Sequence, residues 1–233
     1  MKYYFSAAGF RGALFAGLMF AFAAFPSTAQ GGIFTGVSWF GQGSFMFFLE
    51  DNEMHGDPMP VLPALGVGAS LPFLDTLRLE VTIDVYSTHY GFSDVLNRPV
   101  PLADENRTAR VTGILLGFQA VMPFDVTPAT TVRVYGGLAA DLRIVVVAAR
   151  LIDELNPMED IHRQTDLVRS YFWSQGRWLL PVIGVGMDYT LNSGLRLGFD
   201  FRAWMPVYRL WTGETLPAVE GWRLGAGIRI TVP

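Results

Sequence analysis

The stretch Thr76 to Tyr86 reads TLRLEVTIDVY, with Leu77, Leu79, Val81, Ile83 and Val85 alternating with Arg78, Glu80, Thr82, Asp84 and Tyr86. A repeat of two describes a strand with unlike faces. The same template predicts eight strands: about Ile33 to Leu49, Pro63 to Phe73, Leu77 to Tyr90, Arg110 to Met122, Thr131 to Ala148, Arg177 to Leu191, Leu195 to Tyr208 and Trp222 to Val232. An even number suits a closed antiparallel barrel built by one chain.

Connections between these strands alternate in length. Leu74-Asp75-Thr76, Phe124 to Thr130 and Asn192-Ser193-Gly194 are short and carry Asp, Pro, Asn or Gly, as tight hairpins require. Glu50 to Leu62, Gly91 to Ala109, Ala149 to Gly176 and Arg209 to Gly221 are long, polar and irregular. Such sorting predicts an eight-stranded antiparallel transmembrane β-barrel with short periplasmic turns and four longer extracellular loops. A soluble sandwich or lipocalin-like barrel has no reason to sort its loops this way.

The faces decide which side is wet. On the seventh predicted strand Leu195, Leu197, Phe199, Phe201, Ala203, Met205 and Val207 oppose Arg196, Gly198, Asp200, Arg202, Trp204 and Tyr208, and the fifth and eighth repeat the scheme. Eight strands enclose little space. The large apolar faces would overfill it, so they are expected to meet lipid, while the charged and small residues turn inward. Trp39, Trp178, Tyr189 and Trp222, near strand ends, are candidates for aromatic girdles. The fourth strand is mixed, with Val111, Leu115 and Val121 expected in the lumen and Arg110 on the lipid side near a rim. The first strand places Phe34, Gly36, Ser38, Phe40, Gln42, Ser44 and Met46 inside.

The predicted lumen charges are Arg78, Glu80, Asp84, Arg133, Asp141, Arg143, Asp188, Arg196, Asp200, Arg202, Arg223 and Arg229. Opposite signs in a narrow space should pair, because an unpaired buried charge costs several kcal/mol. The network is then a structural plug, or else a solute path whose pairs rearrange. Arg exceeds acid in this set, so a leak would favour anions.

Composition fits the same picture. The chain is 51% hydrophobic, yet after its start it holds no apolar run long enough for a spanning helix. Lys2, Arg11, the apolar Ala13 to Phe25 and the small residues Ser27-Thr28-Ala29 predict a secretory signal over residues 1–29, with the barrel over 30–233. Removing Lys2 and Arg11 moves the formal charge from −4 to −6. That acidity argues against nucleic acid or anionic lipid heads as partners. There is no Cys, so neither a lipid anchor on cysteine nor disulfides are expected.

PVIGVGMDYTLNSGLRLGFDFRAW (Pro181 to Trp204) is a Gly-rich strand, a tight turn and an alternating strand, with VYGGLAADL (Val134 to Leu142) as a fainter echo. With the signal, the eight long strands and the mixed lumen, the chain resembles the small outer-membrane barrels, and among them the OmpW/OprG-like proteins. The resemblance implies an outer-membrane location and a porin-like channel role in transport, the passage of small, often hydrophobic, solutes that leave sideways through the wall. Its implied partners are outer-membrane lipid, a small-molecule solute and the barrel assembly machinery. Many such barrels end in an aromatic residue read by that machinery, whereas this chain ends Thr231-Val232-Pro233. A sideways exit needs a weak seam, and proline withholds a ladder hydrogen bond. Pro181 and Pro206 are the candidate lateral seam. The alternative is an OmpA/OmpX-like structural or adhesive surface protein with a closed lumen, meeting host or extracellular ligands through its loops.

Other chemistry is thin. Ser87-Thr88-His89 puts a hydroxyl and an imidazole on one strand face near the outer rim, a pattern that resembles that of eight-stranded lipid deacylases, but no third group orients the imidazole. No enzyme, cofactor or metal is expected. His55 and His162 lie elsewhere. The acids at Glu50 to Asp57, Asp153-Glu154 and Glu159-Asp160 lack the ligand spacing of a calcium loop. Asn106-Arg107-Thr108 matches a glycosylation acceptor only formally. Leu151 to Phe172 has helix-compatible patches, broken at Pro157, suited to fold over the barrel mouth.

Overall fold

The computed structural model describes residues 36–49, 61–93, 97–102, 109–147, 158–212 and 221–232. The predicted signal over 1–29, the acids from Glu50 to Asp57 and at Asp153-Glu154, His55 and the Asn106 sequon lie outside the described residues, as does Phe34.

The described residues form nine strands and two helices: β1 (Ser38–Leu49), β2 (Val61–Leu74), β3 (Leu77–Ser93), β4 (Arg98–Leu102), β5 (Ala109–Thr127), β6 (Thr130–Val147), α1 (Met158–Trp173), β7 (Leu179–Thr190), β8 (Arg196–Trp204), α2 (Arg209–Thr212) and β9 (Trp222–Val232). β1, β2, β3, β5, β6, β7, β8 and β9 pair in that order, and β9 returns to β1, so eight antiparallel strands close a ring. Closure leaves no sheet edge within that ring.

The side-chain pattern is that of a protein turned inside out. Phe45, Val81, Ile83, Phe118, Leu138, Ile144, Ile183, Phe199 and Ile228 are exposed, whereas Glu80, Asp84, Arg133, Asp141, Asp188, Asp200, Arg202, Arg223 and Arg229 are buried. Water would not tolerate an apolar wall running right round a protein, and the interior charges would have no reason to be there. Lipid outside and a polar interior satisfy both. The chain is therefore a transmembrane barrel of the outer-membrane type.

The larger departures from the predicted bounds are at β1, β8, β3 and β5, the last running on to Thr127 instead of Met122, so that the connection predicted over Phe124 to Thr130 shrinks to a tight hairpin. Gly36 is a turn residue with φ 88°, so β1 begins at Ser38 rather than Ile33, and Gly36 does not join the inner face. β8 stops at Trp204 instead of Tyr208, because Pro206 has no N–H for the ladder. β3 runs on to Ser93, and above β2 it pairs with β4, an extra strand inside the predicted loop Gly91 to Ala109. Short hairpins close at Asp75-Thr76, Pro128-Ala129 and Leu191–Leu195, the last with Gly194 at φ 83°. At the other end α1 lays Val168 and Phe172 over Tyr90, Val111 and Val145, which belong to the inner faces of β3, β5 and β6.

Candidate functional site in the barrel lumen

Alternation sends every second residue of each ring strand inward, and the pleat fixes its height by register. The inward charges gather into three groups. Nearest the short turns, Arg229 grips Glu80 through both Nη atoms at 2.9 and 2.8 Å, and its guanidinium carbon lies 3.5 Å from the centre of the Phe40 ring. Arg133 meets Asp188 through Nε at 2.7 Å and Asp200 through Nη2 at 3.0 Å. Its remaining arm approaches Glu80 at 4.0 Å, linking the two clusters.

In the middle, Arg202 donates to Asp84 at 3.2 Å and to the Gln42 side-chain oxygen, while the Gln42 amide donates to Asp84. The Tyr135 hydroxyl donates to Asp200 at 3.2 Å and joins this level to the one below. Toward the long loops, Asp141 is the hub. It accepts from Arg143 Nε at 2.6 Å, from Arg223 Nη1 at 2.5 Å and from the Tyr86 hydroxyl at 2.9 Å. Around that hub pack Met46, Phe48, Leu62, Leu115, Leu180, Val182 and Trp204. Above it, the Arg143 guanidinium lies 3.9 Å from the Phe172 ring centre, so the helical cap is held by a cation–π contact as well as by burial.

Tyrosine needs room in so narrow a space. Tyr86 stands opposite Gly113, where an added Cβ would fall 2.1 Å from its ring, and Tyr135 stands opposite Gly184, with 2.4 Å to the same hypothetical atom. Glycine on the facing strand is what lets each ring lie flat across the lumen and reach its carboxylate.

All twelve predicted charges are on inward positions, but two are unlike the rest. Arg78 donates to Ser70 at the short-turn rim, and Arg196, also at that rim, is only half-buried. The buried set in the ring strands is then Arg133, Arg143, Arg202, Arg223 and Arg229 against Glu80, Asp84, Asp141, Asp188 and Asp200. Five face five. The apparent Arg excess sits at the rim, so the paired interior presents no net positive path to an anion. A cavity lined by Gln42, Ser44, Asp200, Arg202, Trp204, Gly225 and Gly227 has room for about one water molecule.

Gln42, Tyr86 and Tyr135 were not among the predicted site residues, although Gln42 was expected on the inner face of the first strand, Tyr86 shares its face of β3 with Asp84, and Tyr135 shares its face of β6 with Arg133 and Asp141. The two seam prolines are separated by the end of the ladder. β7 and β8 pair from Thr190↔Arg196 up to Val182↔Trp204, and the Pro181 carbonyl then accepts from the Met205 amide at 2.9 Å. β6 and β7 remain paired three residues beyond Val182, to Ala140↔Leu179. Pro181 therefore lies at the open end of the β7–β8 seam, and Pro206 just beyond it.

Several solved structures are similar to this chain. Neisserial surface protein A aligns with a TM-score of 0.46 at 12% identity, covering 85% of this chain and 97% of that one. The N-terminal β-barrel domain of Pseudomonas aeruginosa OprF gives 0.39 at 12% identity, with 84% and 97% covered. The attachment invasion locus protein Ail of Yersinia pestis gives 0.41 at 7% identity, with 84% and 93% covered. No family model matches the chain, and no curated protein is similar enough to count as a relative. The barrel rests on its own closed register.

The remaining candidates fall on the outer surface or on α1. Ser87 and His89 point outward at the top of β3, and the Ser87 oxygen accepts from Arg110 Nε at 3.3 Å. His162 is exposed on α1, while the side chains of Glu159 and Asp160 lie outside the described residues. Among the described residues no group of three or more His, Asp or Glu could hold a metal ion.

Proposed function

We propose that this chain is a surface-exposed outer-membrane barrel with a closed lumen, a structural or adhesive protein that acts through its long-loop end and carries out no catalysis. One observation carries the reading: the interior is filled from the Glu80–Arg229 pair to the Phe172 cap, and the buried charges of the described ring strands are balanced. A path for solute would need these pairs to part, and breaking a buried pair costs about 3–5 kcal/mol. The loop end offers contact area of its own, since Trp173, Leu210 and Trp211 are exposed there. Reconstituted protein in a planar bilayer is expected to give no stepwise conductance. Steady single-channel openings would defeat the closed-lumen reading.

A second reading has its own support. Passage of small apolar solutes, as the OmpW/OprG resemblance implies, would use the β7–β8 seam, where the ladder ends early beside Pro181 and Pro206. The mouth of that seam is bridged by Arg177, stacked 4.0 Å from the Tyr171 ring centre and 5.8 Å from that of Tyr208, and by Trp211 donating to the Gln175 carbonyl at 2.8 Å. On this reading Pro181→Val with Pro206→Val tightens the wall and slows entry of an apolar dye into proteoliposomes. Equal rates for the wild type, the double variant and empty liposomes would remove it.

A further inference from the structure

Among the buried acids of the described ring strands, Glu80, Asp84, Asp141 and Asp188 each meet an Arg, Gln or Tyr group at both oxygens. Asp200 does not. Its Oδ1 takes Arg133 Nη2 at 3.0 Å and the Tyr135 hydroxyl at 3.2 Å, while its Oδ2 is buried with no hydrogen-bond partner among the described residues. An unmet carboxylate oxygen inside a barrel is costly, and a water molecule is the usual remedy where polar space for one exists.

Register shows where that space lies. Asp200 on β8 is in register with Gly186 on β7 and with Gly227 on β9, and Gly227 in turn is in register with Ser44 on β1. Oδ1 lies on the Gly186 side, where an added Cβ would fall 2.5 Å from it. On the other side Gly227 has no side chain to fill the row, and the cavity with room for about one water molecule lies there, lined by Gly227, Ser44, Asp200, Gln42 and Arg202 among others. A Cβ at position 227 would come within 2.6 Å of the Gly43 carbonyl and of Ser44 Cβ, so β9 cannot supply a side chain in its place. Ser44 is inward and half-buried, and its hydroxyl makes no hydrogen bond with a described residue. Two polar groups without a protein partner therefore border one small polar cavity.

We propose that this cavity is a binding site for a single internal water molecule, which donates one hydrogen to Asp200 Oδ2 and the other to Ser44 Oγ and so joins β8 to β1 across the glycine of β9. Asp200 is four residues along β8 from Arg196, which puts the site about 10 Å above the short-turn rim and well inside the apolar band. An apolar void there would stay dry, but this lining is polar. A metal ion does not suit the site. Arg133 and Arg202 already lie against Asp200 and Asp84, and among the described residues no group of three or more His, Asp or Glu could hold a metal ion. The inference rests on the packing of the interior and on neither functional reading, since a sealed barrel and one that passes solute along its wall would both carry the water.

The test is a crystal structure of the full-length protein refolded in detergent, at a resolution that shows ordered solvent. An isolated peak is expected about 2.7–3.2 Å from both Asp200 Oδ2 and Ser44 Oγ. No peak beside well-ordered side chains overturns the proposal, as does a peak bonded to one of the two oxygens alone or an Asp200 turned so that a protein donor meets Oδ2. A peak at the roughly 2.3–2.6 Å of a calcium-like cation overturns it as well. Urea unfolding from lipid vesicles gives a second readout. Ser44 and Asp200 do not hydrogen-bond each other, so without a bridge Ser44→Ala and Asp200→Asn should lower the midpoint additively. With the bridge, the double variant should shift by clearly less than the sum, because either single change already releases one end of the water. Additive shifts overturn the bridge. If Asp200→Asn does not refold, a crystal structure of Ser44→Ala takes the place of the cycle: the peak should weaken or move off position 44, and an unchanged peak overturns the role of Ser44. Heat-dependent gel mobility is read first for every variant, and its absence in the wild type would overturn the barrel and the site together.

Discussion

Asp141 shows how much a single interior carboxylate can organise. Arg143, Arg223 and Tyr86 all point at it, from three different strands. Asp141→Asn keeps the size and removes the charge, leaving two buried guanidinium groups to share a neutral amide. The expected cost is about 3–5 kcal/mol, read as a lowered urea midpoint for unfolding from lipid vesicles. A loss under 1 kcal/mol would mean the hub is wet or slack. Gly113→Val is a steric counterpart: with a hypothetical Cβ only 2.1 Å from the Tyr86 ring, the tyrosine must leave Asp141, and a midpoint shift of comparable direction should follow even though no charge is touched. Which residues turn inward was legible in the sequence, since alternation assigns Arg78 through Tyr86 and Arg133 through Arg143 without any tertiary knowledge. Which of them pair was not. Glu80 finds Arg229 across 149 positions of chain, a contact that strand order and register decide together.

The strands themselves were legible wherever the apolar and polar positions alternate without interruption, as in β3, β6 and β9. Errors fell where another force intrudes on that pattern. β4 reads RPVPL, and two prolines in five residues argue against a strand on sequence grounds. It forms beside the extension of β3, where the partner supplies the ladder and β4 is not part of the ring. β8 failed at its end for the opposite reason: the apolar pattern persists through Met205 and Val207, but Pro206 cannot donate. α1 begins immediately after Pro157 in sequence, a residue that breaks a helix from within and suits its first turn. What the sequence could not show is where its apolar face lands. Phe172, buried at 4% exposure, meets Tyr90 edge-on with ring centres 4.8 Å apart. Phe172→Ala should therefore loosen the cap while sparing the barrel. Hydrogen exchange is expected to rise within Met158–Trp173, with heat-dependent gel mobility unchanged. Loss of the folded gel band would show the cap to be integral to the barrel instead.

A barrel that faces lipid has no apolar drive to hold its centre together, because the lipid tails outside are as apolar as its own wall. Specific interior pairing must do that, and the chain distributes it in levels along the axis. Glu80 and Asp141 belong to different levels and share no partner. Along β3 and its register neighbours, Glu80 lies four residues from Asp84, which is in register with Leu115 and through it with Asp141. Four residues of strand are about 14 Å, beyond the range over which substitutions usually couple. Glu80→Gln and Asp141→Asn should thus add their costs within about 0.5 kcal/mol. Asp141→Asn with Arg223→Gln should fall well short of additive, because the second change removes a charge that the first has stranded. The same urea unfolding series measures both cycles. Strong coupling between Glu80 and Asp141 would mean that the levels act as one network, and then a local disturbance at the capped end could propagate to the short-turn end. Additivity would mean that each level seals the barrel by itself, so that opening a path requires every level to yield at once.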